Sequence, residues 1–274
     1  MWISDAIHYP MVRWFNPKIS VFDCTDAIIF ENPKEQAFHD ELRRRIIIDS
    51  DVSFFTSKLY FNEACNYSDN CYYLPNGVDV ESFTKEHYPK PKELDEIQRP
   101  ILGFVGTLDS RIDQELVKEI LMNNSEVSLV FVGPIIDDLC KLKNEKRIFL
   151  LGQKSYSVIP DFINQFDVAL IPYRLTENTR YMYPVKMHEY LILGKPVVST
   201  NLPEVRQFSE VIHIAKNRRE FLSKIDEVLR ANNGHGKKRR IQTALANTWD
   251  HRLKMIESEL EKVSKEKAED RFLE

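Results

Sequence analysis

Between Pro100 and about Ala231, short apolar runs alternate with amphipathic segments of helical periodicity. Short, continuous apolar runs predict strands that are buried on both faces, and the amphipathic segments predict helices that cover them. The predicted strands are Ile101–Val105, Val127–Val132, Ile148–Leu151, Val168–Pro172, Val197–Thr200 and Val211–Ile214. The predicted helices are Asp113–Met122, Ser157–Gln165, Val185–Leu193 and Arg218–Arg230. This alternation indicates an α/β fold with a doubly wound parallel sheet.

The region before Pro100 contains fewer elements of the same kind. The predicted strands are Ile19–Phe22, Val52–Thr56 and Tyr72–Leu74, and the predicted helices are Lys34–Ile48 and Lys58–Cys65. So few strands make a poor independent sheet. The sequence therefore predicts an incomplete layer in which a part that normally completes it is absent.

Changes in composition along the chain predict its division into segments. His87–Arg99 is polar and rich in Pro and Lys, which is typical of a linker, and a long helical pattern begins at Lys237. We therefore expect a partial first domain over residues 1–90, a linker over 91–99, a second domain over 100–235 and a C-terminal helix over 236–274. The basic run Lys237–Arg240 is interpreted as a solvated face, with a membrane-surface or phosphate-binding role as the alternative.

Composition narrows the functional classes. The net charge of −4 gives no general attraction to nucleic acid, so no nucleic-acid partner is expected. The four cysteines form no CxxC pair, and we interpret them as buried thiols in a reducing compartment. The apolar runs are much shorter than a membrane-spanning helix. We expect a cytoplasmic protein, with peripheral contact at the inner face of the cell membrane as its closest approach to lipid.

The first candidate anion site is the strand–helix junction Gly103–Asp113. Gly106 would let a phosphate approach the backbone closely. Ser110 and Asp113 fit a capping box, which places Arg111 in the first helical turn. A cation is mildly disfavoured there unless an anion is bound. A tight turn with an exposed arginine explains the pattern equally well.

The second candidate site is the helix that begins near Pro184. Pro184 suits the first helical position, and Gly194 suits the left-handed residue after the helix. Lys186 places another cation at a helix start, and Glu189, one turn later, offers two acceptor oxygens that suit a ribose diol. The alternative is a surface ion pair between Lys186 and Glu189 that contributes little.

In their order and spacing, these motifs resemble the C-terminal domain of bacterial GT-B glycosyltransferases, a large retaining family that makes cell-surface polysaccharides and glycolipids. The resemblance is carried by Gly103–Leu108, Leu129–Pro134, Phe149–Gln153, Ile159–Pro172 and Pro184–Val198. Phe22–Asp26 and Leu74–Asp79 resemble the back half of the N-terminal domain of the same enzymes. The resemblance implies a GT-B fold, with a Rossmann-like second domain and an incomplete, N-terminally truncated Rossmann-like first domain.

The resemblance also implies a role for each matching position. The implied donor-binding residues are Gly106, Arg111, Gly152, Gln153, Arg180, Tyr181, Pro184, Lys186 and Glu189. Gly106, Arg111 and Lys186 would face the diphosphate, Glu189 the ribose, and Gly152 with Gln153 the nucleobase. Residues 174–181, which include Arg180 and Tyr181, form the loop that would close over the donor sugar. Many family members have a second glutamate where this chain has Tyr181, so the donor sugar stays open.

The implied function is transfer of a sugar from a UDP- or GDP-linked donor to a cell-surface polysaccharide or a lipid-linked glycan. The implied cations should make a cofactor or metal unnecessary, and Asp137-Asp138 is interpreted as a turn. No catalytic acid or base is assigned, because Met1 falls after the family's opening acceptor-side segment. The chain's early histidines, His8, His39 and His87, are interpreted as surface or boundary residues.

Two alternatives accompany this assignment. The first is a catalytically incomplete donor-binding remnant, or a partner subunit of a split glycosyltransferase. The second is a GT-B-type nucleotide-sugar epimerase, which the Pro184-x-Lys186-x-x-Glu189 block disfavours.

Overall fold

The computed structural model describes residues 1–138, 142, 145–231, 234 and 236–273, and Cys140 lies outside them. The chain forms two compact units. The first unit contains Met1–Asn76, Arg180–Tyr183 and Trp249–Glu274, and the second contains Gly77–Thr179 and Pro184–Thr248. Across the described residues, no helix is both long enough and apolar enough to cross a membrane.

The second unit is built on a six-stranded parallel sheet. Its strands are β5 (Ile101–Val105), β6 (Ser128–Val132), β7 (Ile148–Leu150), β8 (Val168–Ile171), β9 (Val197–Thr200) and β10 (His213–Ala215). They lie in the order β10-β9-β8-β5-β6-β7, so the chain moves outward from β5 and then returns to β5's other side at β8. The predicted α/β, doubly wound fold is confirmed.

Several helices of this unit pack on the sheet. The helices are α4 (Val80–Phe83), α5 (Gln114–Asn123), α6 (Ile159–Gln165), α8 (Lys186–Ile192), α9 (Arg218–Arg230) and α10 (Lys237–Leu245), and α7 (Glu177–Arg180) ends at the boundary of the unit. Of these, α4 and α10 contact α8. In α9, Phe221, Ile225 and Val228 are buried at helical spacing, as expected of an amphipathic helix packed on a core.

The first unit has a four-stranded parallel sheet in the order β1-β2-β3-β4. Its strands are β1 (Trp2–Ile3), β2 (Val21–Cys24), β3 (Val52–Phe55) and β4 (Cys71–Tyr73). Its helices are α1 (Tyr9–Phe15), α2 (Pro33–Asp49), α3 (Lys58–Ala64) and α11 (Trp249–Leu273). The helix α11 packs through Ile256, Leu260 and Val263 against one apolar cluster of the sheet.

The boundaries of the units differ from those expected from composition. Part of the expected linker carries core residues, since Leu94 and Ile97 are buried, and residues 77–99 belong to the second unit. The long C-terminal pattern forms two helices, because the chain turns at Asn247, whose carbonyl accepts the Val78 N–H at 2.9 Å. The second of these helices, α11, belongs to the first unit.

Two other expectations need correction. The basic run at Lys237–Arg240 is not wholly a solvated face, because Arg240 is buried and its Nε donates to the Gly194 carbonyl at 2.9 Å. Among the cysteines that the structure describes, Cys24 and Cys71 are buried as expected, but Cys65 is exposed.

Candidate functional site

Glycine loops meet at the carboxyl edge of the second unit's sheet. Gly106 follows β5 with φ +127°, and Gly133 follows β6 with φ +150°. The Gly106 N–H donates to the Val132 carbonyl at 2.8 Å, and a Cβ on Gly133 would lie 2.1 Å from the Gly106 carbonyl oxygen. The Gly133 N–H donates to the Gly152 carbonyl at 2.9 Å, which brings the loop after β7 to the same edge. Glycine is required here because side chains would prevent this approach of the backbones.

Helix α8 is fixed against β5 by a buried hydrogen bond, in which the Val105 N–H donates to the Tyr190 hydroxyl at 2.8 Å. Its first residue, Lys186, lies beside Gly106, since a Cβ on that glycine would be 2.7 Å from Nζ. The strand order reverses between β5 and β8, and in open α/β sheets ligands bind at this point. Lys186 therefore lies in the crevice where an anionic ligand is expected.

Aromatic side chains hold the Lys186 ammonium group in this crevice. Its Nζ donates to the Tyr173 hydroxyl, and it lies 4.8 Å from the Tyr173 ring centre and 4.3 Å from that of Phe104. A cation over an aromatic face is stabilised by the ring's electron density. In the described part of the chain Lys186 forms no direct ion pair, although its charge acts on the nearby Asp109 and Glu189 carboxylates in the direction that lowers their pKa values.

Glu189 is buried, with 8% of its surface exposed. Its Oε1 accepts a hydrogen bond from the Tyr156 hydroxyl at 3.2 Å. Burial raises the Glu189 pKa, while the positive charge of Lys186 and the Tyr156 hydrogen bond act in the opposite direction. The alternative of a surface ion pair between Lys186 and Glu189 is wrong, because the carboxylate is buried and Tyr156 is its hydrogen-bond donor.

Arg111 requires a correction. Helix α5 begins at Gln114, and its N-cap is Asp113, whose carboxylate accepts the Leu116 N–H at 3.1 Å. Arg111 therefore lies in the turn before the helix and not in its first turn, because Asp113, rather than Ser110, takes the capping position.

The side chain of Arg111 is paired with Asp109, to which its Nε donates at 2.8 Å. Burial tends to raise the Asp109 pKa, but the hydrogen bonds from Arg111 outweigh it and the pKa is lowered. The guanidinium carbon is 5.6 Å from the ring centre of Tyr173, the residue that also contacts Lys186. Arg111 is thus close to the Lys186 crevice, with its charge offset by a neighbouring carboxylate.

The other predicted positions differ in their surroundings. Gly152 has φ +69° with no heavy atom within 4 Å of a built Cβ, and Gln153 is exposed. Pro184 is buried but precedes the N-cap Val185, so it is not the first helical residue as predicted. The Pro184 carbonyl instead accepts the Met187 N–H at 3.1 Å, in the turn that leads into α8.

Arg180 and Tyr181 belong to the first unit, and Tyr181 stacks on Tyr60 with ring centres 4.2 Å apart. The preceding segment is organised by the buried Thr179, whose hydroxyl donates to the Arg174 carbonyl at 2.6 Å. The expected role of Arg180 and Tyr181 toward a donor sugar stays a prediction.

Asp137 and Asp138 are exposed after β6, and the Asp137 carboxylate accepts the Ser110 N–H at 2.6 Å. Among the described residues, no group of three or more His, Cys, Asp and Glu side chains is arranged to hold a metal ion. The expectation that donor binding needs no metal stays a prediction.

His39 is the one early histidine whose interpretation is wrong. His8 and His87 are exposed, but His39 is 6% exposed, on the inward face of α2. Its Nε2 lies 3.4 Å from Asp5 Oδ1, and its ring lies 5.5 Å from that of Phe30. It is a core residue of the first unit, because α2 turns this face toward the sheet.

Sequence reasoning missed three residues of the crevice: Asp109, Tyr156 and Tyr173. Tyr173 follows the end of β8, so its position at the carboxyl edge was available as a signal. The hydrogen bond from Tyr156 to Glu189 joins residues 33 positions apart, and no periodicity in the sequence indicates it.

Comparisons with known proteins concern the family and the fold of the chain. Residues 99–231 match the family described as "Glycosyl transferases group 1". A relative in Bacillus subtilis (strain 168), TuaH, is named as a glycosyltransferase of teichuronic acid biosynthesis; it is 23% identical over 210 residues. That alignment covers 69% of this chain and 52% of TuaH, so the chain spans about half the length of this relative.

Solved structures share the fold at lower identity. The α,α-trehalose 6-phosphate synthase of Burkholderia multivorans matches with a TM-score of 0.76 and 14% identity, over 96% of this chain and 71% of its own. Anabaena HepE, solved in complex with UDP and glucose, matches with a TM-score of 0.73 and 13% identity, over 94% of this chain and 74% of its own. The fold is that of the GT-B glycosyltransferases.

Proposed function

We propose that this chain binds a nucleoside-diphosphate sugar, UDP- or GDP-linked, and transfers the sugar to a cell-surface polysaccharide or a lipid-linked glycan. The observation that carries the proposal is the position of Lys186. Its ammonium group lies beside the Gly106 loop where the strand order reverses, held by Tyr173. A cation and a close-approaching backbone at this point suit a diphosphate.

The chemistry follows from the charge of the leaving group. When the bond between sugar and phosphate breaks, negative charge develops on the departing diphosphate. Lys186, fixed in advance by aromatic contacts, is suited to stabilise that charge without reorganising. Arg111 would add a second cation by exchanging its Asp109 hydrogen bonds for the diphosphate. No cofactor or metal enters this proposal.

The rest of the donor is assigned to neighbouring positions. Glu189 would accept hydrogen bonds from the ribose, and Gly152 with Gln153 would contact the nucleobase. The name of TuaH supports a polysaccharide acceptor, and HepE, solved with UDP and glucose, supports a uridine nucleotide. We further propose a cytoplasmic location with peripheral membrane contact, for which the exposed basic residues Lys237–Arg239 are available.

The test is calorimetry with UDP and with GDP. Lys186→Ala should weaken binding of the nucleotide by about 1.5–3 kcal/mol, the range for a hydrogen bond to a charged group. Lys216→Ala is the matched control, because Lys216 is an exposed lysine that follows β10 at the same edge of the sheet. Affinity in excess EDTA should equal that in magnesium.

Several results would contradict the proposal. Absence of binding at millimolar UDP and GDP would remove the site, and equal losses in both lysine variants would reduce Lys186 to a general charge effect. A large loss in EDTA, restored by magnesium or manganese, would show that a metal is required.

A further inference from the structure

The Glu189 carboxylate is held asymmetrically. Its Oε1 accepts from the Tyr156 hydroxyl, while among the described residues Oε2 has no hydrogen-bond donor. Tyr156 starts the short helix Tyr156–Val158, in the connection that follows β7 and Gly152. One oxygen of the buried carboxylate is therefore fixed by the chain, and the other is available to a ligand.

Tyr156 is itself held at the edge of the site. Its ring lies 5.5 Å from that of Phe83 in an edge-on arrangement, and Phe83 is fully buried. Tyr156 is nevertheless 48% exposed, so it does not serve chiefly to fill the core. A half-exposed phenol on a rigid aromatic support can orient a carboxylate without enclosing it.

Lys186, on the same helix as Glu189, does not replace this donor. Its Nζ is directed to the Tyr173 hydroxyl and to the rings of Phe104 and Tyr173. The two functional side chains of α8 thus have separate tyrosine partners, Tyr173 for the cation and Tyr156 for the carboxylate.

We propose that Tyr156 is a positioning residue for nucleotide recognition: its hydroxyl holds Glu189 so that the second carboxylate oxygen accepts from the vicinal diol of a ribose. This rests on the proposed function, which places the ribose at Glu189. Tyr156 thereby makes the site selective for ribonucleotides, since a ligand without the 2′-hydroxyl offers that oxygen only one of the two donors of the diol.

The protonation of both partners is consistent with these roles. Burial and the nearby Glu189 charge raise the Tyr156 pKa, so the phenol remains a donor. Burial raises the Glu189 pKa, and the Tyr156 hydrogen bond and Lys186 oppose this. The other ionisable neighbours are Tyr190, whose raised pKa Glu189 raises further, and Asp79, which acts on Tyr156.

The first measurement compares the affinity for UDP and 2′-deoxy-UDP in the wild type and Tyr156→Phe. We expect the preference for UDP to fall roughly 2- to 12-fold, the effect of losing one net hydrogen bond. Tyr88→Phe is the matched control, because the Tyr88 hydroxyl donates to the Phe83 carbonyl at 2.8 Å. It disturbs the same aromatic neighbour without contacting Glu189, and should leave the preference unchanged.

A double-mutant cycle separates positioning from packing. In Glu189→Gln, adding Tyr156→Phe should cause little further loss of ribose preference, since the two residues act together. As the pH is lowered, Tyr156→Phe should lose its affinity for UDP at a higher pH than the wild type does. The reason is that Glu189 accepts a proton more readily without the Tyr156 hydrogen bond. Additive losses, or a uniform loss for both nucleotides at every pH, would overturn the proposal.

Titration of the free protein tests Tyr156 independently of the donor. With ¹³C-labelled glutamate, the Glu189 carboxyl signal is identified by its disappearance in Glu189→Gln. Its titration midpoint should rise in Tyr156→Phe and stay unchanged in Tyr88→Phe. If no nucleotide binds, the proposed function fails. An unmoved midpoint, in contrast, overturns the role of Tyr156 even where nucleotides bind.

Discussion

The carboxyl edges of the two sheets differ in the residues that follow their strands. All eight glycines of the chain lie in the second unit, and three of them, Gly106, Gly133 and Gly152, follow consecutive strands with positive φ. The first unit contains no glycine, and at its edge β2 and β3 end in the buried side chains of Cys24 and Phe55. Of the two edges, only the second has glycine backbone of the kind that the proposed phosphate contact needs.

The cationic side chains at the two edges also have different partners. In the first unit, the buried Arg43 guanidinium lies 4.1 Å from the Tyr60 ring centre and donates to Glu63 at 3.2 Å. Its charge is thus satisfied within the protein. In the second unit, Lys186 is held by neutral aromatic groups, which leaves its charge available for an anion. The comparison indicates that a cation near a sheet edge suggests an anion site where it is not directly paired with a carboxylate.

The largest expected effect comes from Gly133→Ala. The new Cβ would lie 2.1 Å from the Gly106 carbonyl oxygen, at φ +150°. Strained backbone costs about 1–3 kcal/mol, and overpacking adds about 1–3 kcal/mol, so the free energy of unfolding should fall by about 2–6 kcal/mol. Binding of UDP or GDP should be lost together with the loop geometry. Urea denaturation and calorimetry measure both effects.

Gly152→Ala is the control for this substitution. Its φ is +69°, but nothing lies within 4 Å of the added methyl group. Only the left-handed backbone penalty applies, about 1–2 kcal/mol. Equal losses of stability in both variants would show that the close approach of the Gly106 and Gly133 loops has no special importance.

The sequence predicted those features of the second unit that depend on local patterns. Strands such as Val197–Thr200 are buried apolar runs, and Gly194 adopts the left-handed conformation predicted after a helix. The first unit was predicted less well, because β1 is only two residues long and is formed by pairing with β2. So short a strand has no periodicity to detect.

The site shows the same limit. Lys186 and Glu189 could be selected from their positions in one short helix, but their partners could not. Asp113 or Ser110 could each cap α5, and the structure decides between them through the Leu116 N–H. The partner of Glu189 comes from a different element, so only tertiary structure identifies Tyr156.

A middle-sized effect is expected from Arg43→Ala in the first unit. It removes a buried guanidinium from the Tyr60 ring and from Glu63 and Asp40. Because those carboxylates are about half exposed, water can solvate them, and we expect a loss of about 1–3 kcal/mol in the free energy of unfolding. Affinity for UDP or GDP should remain within about twofold, since Arg43 supplies no group to the proposed nucleotide site at Lys186 and Glu189.

The matched variant is Arg44→Ala, on the same helix. Arg44 is exposed and its Nε donates to Glu41 at 2.9 Å, so its removal should leave the free energy of unfolding nearly unchanged. A fall in nucleotide affinity in Arg43→Ala comparable to that in Lys186→Ala would mean that the two edges are not functionally distinct.

The smallest expected effect is a gain of stability in Glu189→Gln. The pKa of Glu189 is raised by burial, so the stability associated with its neutral form is complete below the pKa of the unfolded chain and is lost as pH rises through the folded-state pKa. Glutamine keeps the shape and stays neutral. The free energy of unfolding at pH 7 should therefore rise by about 0.5–2 kcal/mol, and the difference should vanish near pH 4, close to the ordinary glutamate pKa. Denaturation at both pH values, with the exposed Glu93→Gln as a control that should bring no gain, measures this. A lower free energy of unfolding for Glu189→Gln than for the wild type at pH 7 would show that the charge of Glu189 stabilises the fold. The ionised carboxylate proposed for ribose recognition would then not destabilise the protein.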